Sequence, residues 1–213
     1  MLLMVEFIQA NIIYFVIVAS YFIGSLPTAY LIGKFKNIDI RKEGSGNVGA
    51  TNTARILGKK WAVIVLLVDV SKGFLSILLA RLAINNVNPF GHEVLLAGMA
   101  SVLGHIFPVW LKFKGGKGVA TVCGLIVALS PLQALIAFFV FMTSIFLSKY
   151  VSLSSLLGVY SLPASYFLFF KFDNNSILFY FFAALALIIT IMHLKNIQRL
   201  LSGKETKISS FAK

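Results

Sequence analysis

Long apolar stretches separated by short polar connections dominate the 213-residue chain. They run over about residues 7–33, 61–84, 92–111, 118–131, 132–148, 153–170 and 176–194, and a helix needs roughly 20 such residues to cross the hydrocarbon of a bilayer. The fourth stretch is short. Ser130-Pro131 can divide the apolar run from Gly118 to Ser148 into two antiparallel spans, because proline lacks an amide donor and biases the residue before it toward extended backbone. The pattern predicts an all-α integral membrane protein with seven transmembrane helices. It forms one polytopic domain over residues 1–213, with no room for a separate soluble domain.

Composition supports that reading. Charged residues make up only 12% of the chain against 59% hydrophobic, about half the charged share of a soluble domain. The formal net charge is nevertheless +12, from 19 Lys and Arg against 7 Asp and Glu. With seven spans, the connection 34–60 carries Lys34, Lys36, Arg41, Lys42, Arg55, Lys59 and Lys60, and the connection 112–117 carries Lys112, Lys114 and Lys117. Lys149 marks a third connection, and the tail adds Lys195, Arg199, Lys204, Lys207 and Lys213, so that sixteen of the 19 fall on one side. The other side holds only Arg81 and Lys171, with Lys72 inside the second span. The asymmetry makes these basic connections and the C-terminus cytoplasmic and puts the N-terminus outside; six spans would split the cations between the two faces. Glu6 is the only charge before Lys34, so no cleaved signal is expected. The single cysteine, Cys123, excludes an intramolecular disulfide and a cysteine-cluster metal site.

Candidate chemistry gathers on the basic side. The run Gly44-Ser45-Gly46-Asn47-Val48-Gly49-Ala50-Thr51-Asn52 combines three glycines with small hydrogen-bonding residues, a backbone suited to turning several N–H groups toward an anion. A helix starting near Ala50 adds the partial positive charge of its first amides, and Arg55 adds a planar fork of donors that matches phosphate. A second loop repeats the chemistry with Gly115, Gly116 and Gly118 around Lys117. It is not a Walker loop, since Gly118 stands where a metal-binding Ser or Thr is needed and no strand precedes it. At the end of the last span His193 and Asn196, three apart, share a face if the helix continues, with Arg199 three further on. Tyr150, Ser152, Ser154 and Ser155 lie on the same side and can either contact a polar headgroup or cap the sixth span. Asp69 and Lys72 inside the second span can neutralise each other, as a structural pair or as support to the loops. No HExxH motif occurs, no Asp follows His92 or His105 at the spacing of the acyltransferase dyad, and acids are too sparse for a metal-dependent phosphotransferase.

Taken together and in order, Gly24 to Tyr30, Gly44 to Asn52 through Arg55, Asp69 to Gly73, Gly104-His105 to Pro108, Gly115 to Thr121 and His193 to Asn196 resemble the bacterial membrane family of acyl-phosphate:glycerol-3-phosphate acyltransferases. The resemblance implies a seven-helix enzyme of the bacterial cytoplasmic membrane that makes lysophosphatidic acid from a fatty acyl phosphate and glycerol 3-phosphate. It implies no cofactor, metal or nucleic-acid partner. It makes Ser45, Arg55, Lys117, His193 and Asn196 the expected catalytic residues. Gly44, Gly46, Asn47, Gly49, Ala50, Thr51, Asn52, Gly115 and Gly116 form the expected substrate cradle, with Ser155 a further contact. The rival reading, a small anion transporter with a basic vestibule, requires a polar midplane site and inverted repeats, and the sequence shows no convincing internal repeat.

Overall fold

The structure, a computed structural model, describes residues 2–83, 90–170 and 176–208. Its described residues form helices and no strands: α1 (Leu2–Ser25), α2 (Thr28–Phe35), α3 (Ala50–Leu57), α4 (Lys59–Ala83), α5 (His92–Ile106), a 3₁₀ turn (Val109–Leu111), α6 (Val119–Leu129), α7 (Pro131–Ser148), α8 (Val151–Phe170), α9 (Ser176–Met192) and α10 (Leu194–Leu201). Among the described residues, five stretches are long and apolar enough to cross a membrane: Asn11–Phe35, Lys59–Ala83, His92–Leu111, Pro131–Ser148 and Val151–Phe170. A sixth arises if Ile177–Met192 and Leu194–Leu201 count as one bent span. The expected fourth span is α6, whose 11 residues rise only about 16 Å, roughly half the hydrocarbon thickness.

Proline sets two of the breaks. The first apolar stretch is continuous in sequence but becomes two helices, because Pro27 has no amide to continue α1. The carbonyl of Leu26 beside that break accepts a hydrogen bond from Lys72 Nζ at 2.5 Å. At the second break α6 ends on Leu129 and α7 begins on Pro131, the first-turn position where a missing amide costs nothing.

The chain forms two compact units, Met1–Leu129 and Ser130–Lys213. In the first, α1 packs on α5 and α4 on α6 through glycines that face each other's backbone. A methyl group at Gly24 would collide with the Ser101 carbonyl and one at Gly104 with that of Tyr21. Gly73 and Gly124 stand in the same reciprocal relation to Thr121 and Val70. Among apolar helices in lipid, where hydrophobic burial gives little preference, such close backbone approach supplies the dispersion contacts that hold a pair. Arg81 Nη1 donates to the Ala128 carbonyl at 2.8 Å and closes the end of α6. A small core of Ala29, Ile40, Val48, Val65 and Leu111 anchors the connection between α2 and α3. In the second unit α8 packs against both α7 and α9, with Tyr166 edge-on to the buried ring of Phe182 at 5.9 Å.

Candidate functional site

The connection from Asn37 to Gly49 is folded around one side chain. Asn52, on the first turn of α3 and buried, accepts the Ser45 N–H on its Oδ1 at 2.9 Å and donates from Nδ2 to the carbonyls of Ile40 and Glu43, both at 3.1 Å. Gly44 and Gly46 have φ of +59° and +69°, the left-handed region that other residues enter only with strain. Further turns close as Gly46 N–H donates to Glu43 O (2.9 Å) and Gly49 N–H to Asn47 O (3.1 Å). Ile40 and Val48 plug the loop into the core below, while Ser45 is left exposed at its crest. The amides of Ser45, Gly46 and Gly49 are therefore committed inside the loop, and the cradle offers an anion the Ser45 hydroxyl and the start of α3. No side chain caps that helix at Gly49, so its first amides lack both an intrahelical acceptor and a side-chain cap. Arg55 lies half-buried five residues into α3. Arg41, by contrast, is held by Asp39 at 2.8 Å and lies over the Tyr30 ring at 4.6 Å. The hydrogen bond from Arg41 brings the Asp39 carboxyl down to about 2.

The second loop follows α5. Lys112 and Phe113 both take left-handed backbone (φ +53° and +61°), reversing the chain. Gly115 N–H then donates to Ile106 O at 2.9 Å and Gly116 N–H to His105 O at 3.1 Å. These two glycines serve close packing, since a methyl group at either would collide with the carbonyl or the ring of His105. Gly118 (φ +86°) starts α6, and Lys117, just before it, is half-buried. The same unit holds a buried ionic cluster. Lys72 Nζ contacts Asp69 Oδ1 at 2.5 Å, Thr28 Oγ1 donates to that oxygen at 3.4 Å, and His105 Nδ1 stands 3.7 Å from it. Sequence spacing could not show the histidine–carboxylate approach, because its two residues come from α4 and α5.

The second unit carries its own polar cluster. The chain bends by 64° between α9 and α10, with His193 at the corner, so the expected continuous helix through His193 and Asn196 is corrected. The apolar α9 gives way to a helix carrying Lys195, Asn196, Gln198 and Arg199, which cannot extend the apolar run. His193 is buried, with Nδ1 2.8 Å from the Ile189 carbonyl. Asn196 Nδ2 donates to Glu205 Oε1 at 2.7 Å, Arg199 Nε to Glu205 Oε2 at 2.7 Å, and Ser152 Oγ to Glu205 Oε1 at 2.9 Å. Burial would raise the Glu205 carboxyl, but these three donors and the Arg199 charge outweigh it and hold it below its ordinary 4.5. Ser155 is buried and donates to the Val151 carbonyl of its own helix at 2.8 Å. The tail is pinned again where Ile208 N–H donates to Lys149 O at 2.8 Å. Sequence reasoning does not single out Glu205, although one signal marks it: it is the only acid after Asp173, in a tail otherwise rich in cations.

Fold and loops together define an all-helical integral membrane protein that presents glycine-rich, cation-bearing loops suited to phosphate. The comparisons specify the class. The glycerol-3-phosphate acyltransferase family model matches residues 14–203, and the chain belongs to that family. A glycerol-3-phosphate acyltransferase of Prochlorococcus marinus (strain MIT 9515) is 44% identical over 93% of this chain and 98% of its own. One of Aquifex aeolicus (strain VF5) is 43% identical over 90% of this chain and 96% of its own. Two crystal structures of PlsY (YgiH), an integral membrane glycerol 3-phosphate acyltransferase, are also similar. The glycerol 3-phosphate form has 38% identity and a TM-score of 0.85 over 92% of this chain and 95% of that one. The lysophosphatidic acid form has 37% identity and a TM-score of 0.82 over 92% and 94%.

Proposed function

We propose that this chain transfers a fatty acyl group from acyl phosphate to the sn-1 hydroxyl of glycerol 3-phosphate, releasing lysophosphatidic acid and phosphate. The observation that carries the reading is the uncapped start of α3 behind a loop braced by Asn52, with Ser45 exposed and Arg55 on the same helix. This is a preorganised anion site, and both substrates are phosphate anions. Ser45, Arg55 and Lys117 screen the two phosphates and stabilise the charge that grows on the carbonyl oxygen and on the departing phosphate. The substrate hydroxyl oxygen bonds to the acyl carbon, the bond from that carbon to the phosphate oxygen breaks, and the hydroxyl proton leaves on the released phosphate. Positioning then supplies much of the rate, with His193 and Asn196 orienting substrate and no protein carboxylate required as base.

The same reading takes the chain as a single domain of seven membrane helices in the bacterial cytoplasmic membrane, with α6 as the short one. The N-terminus is outside and the chemistry is on the cytoplasmic face. Its support is the placement of sixteen of 19 cations on one set of connections. The test is to incubate the purified protein with palmitoyl phosphate and glycerol 3-phosphate, without CoA or added metal. Stoichiometric lysophosphatidic acid and phosphate are the expected products. Absence of both, with counterflow of phosphate across sealed vesicles, would overturn the proposal in favour of transport.

A further inference from the structure

We propose that His105, braced by Asp69 and Lys72, is a positioning residue that fixes the Gly115–Gly118 loop and with it Lys117. The inference rests on the reading of that loop as a phosphate site. The imidazole bears on the α-carbon of Gly116: a methyl group there would collide with His105 Nε2, and it would lie only 2.7 Å from the Val48 carbonyl of the first loop. The strip 115–116 is thus held between the His105 ring and the first loop. Its two N–H groups, donated to the carbonyls of Ile106 and His105, fasten it lengthwise.

The other edge of the ring meets Asp69, 3.7 Å away, and Asp69 is gripped by Lys72 and Thr28. Lys72 in turn reaches the Leu26 carbonyl at the break between α1 and α2. A chain of contacts therefore runs from that break through α4 and α5 to the residue before Lys117. The side chains are 3% exposed for Asp69 and Lys72 and 8% for His105. Buried ion pairs of this kind add little net stability over apolar replacements, so their contribution lies in the geometry they impose. The cavity among Ser25, Thr28, Asp69, Lys72, His105 and Gly116 has a volume of about 10 Å³, room for one water at most. In this proposal the cluster acts on the loop rather than on substrate, so the role of His105 is positioning and not catalytic.

The experiment combines steady-state kinetics with calorimetric binding of glycerol 3-phosphate by detergent-solubilised protein. His105→Ala should raise the KM of at least one phosphate substrate about tenfold while kcat falls less than threefold. His105→Asn, whose amide nitrogen can donate to Asp69 from the place of Nδ1, should recover much of that shift and remain at least twofold above the native KM. A kcat loss with both KM values unchanged, or no change in either variant, would overturn the inference. If the alanine variant fails to fold, judged by its elution and melting, the asparagine variant alone decides on the same criterion. If native protein binds glycerol 3-phosphate but transfers no acyl group, the proposed function fails. The ratio of native to variant Kd then decides the positioning role, a ratio near one overturning it.

Discussion

Two segments of this chain use the same pair of residue types at the same spacing and put them to different use. Asn52 and Arg55 stand three apart on α3, and Asn196 and Arg199 stand three apart on α10. On α3 the asparagine amide grips three neutral backbone groups and shapes a loop. On α10 both the asparagine and the arginine grip one carboxylate, that of Glu205, which also takes the Ser152 hydroxyl. The first arrangement shapes its loop without introducing a negative charge through the clamp. The second brings in its own anion, and part of its positive charge is answered within the protein. A spacing of residue types thus sets what a helix face can hold, and the partner brought by the rest of the chain sets what it does hold.

The largest expected effect comes from removing the cation on the first helix. Arg55→Ala should lower kcat/KM by about a thousandfold, as loss of a charge-assisted phosphate contact and of transition-state stabilisation allows. Lys117→Ala should act in the same direction. Arg199→Ala, which breaks the pair with Glu205, should lower the melting temperature and reduce kcat/KM far less than Arg55→Ala does; a loss of kcat/KM as large as that of Arg55→Ala with the melting temperature unchanged would break the comparison. Asn52→Ala removes a clamp of three hydrogen bonds at a buried position and should cost about 2–3 kcal/mol of stability, with a large loss of activity because the Ser45 loop loses its shape. Denaturation in detergent and initial rates read the two effects separately.

Glu205→Gln should destabilise the protein by about 1.5–3 kcal/mol, the range for hydrogen bonds to a charged group. Its pH dependence sharpens the point. The folded carboxyl lies below its ordinary 4.5, so its stabilisation is complete above that value and is lost as pH falls through the lower folded value. The gap in melting temperature between native protein and Glu205→Gln should be constant above about pH 5 and close below pH 4.5; a gap that widens in acid would refute the assigned role. The smallest effect is expected at Lys59, exposed at the start of α4, where alanine should leave turnover within twofold.

Local and tertiary determinants divide along physical lines. The apolar stretches, the breaks at Pro27 and Pro131, the helix start at Ala50 and the glycine turns at Gly44, Gly46 and Gly118 are consequences of short-range chemistry: hydropathy, a missing amide, an uncapped start, a missing β-carbon. Each was readable from a few adjacent residues, except that the run through Pro27 reads as one span. The family resemblance was readable for the same reason, because its motifs are contiguous. Decided only in three dimensions were the groups that meet across elements. Asn52, read as a substrate contact, closes on carbonyls nine and twelve residues back. Asp69 meets His105 from another helix, and Glu205 folds back to α10 and to Ser152 of α8. A hydrogen bond depends on where the backbone carries its two ends, and that follows from the packing of whole helices rather than from the residues beside either end. The sequence by itself determined a helical membrane protein with basic, glycine-rich loops. The tertiary structure decided which of its few polar groups hold those loops in shape.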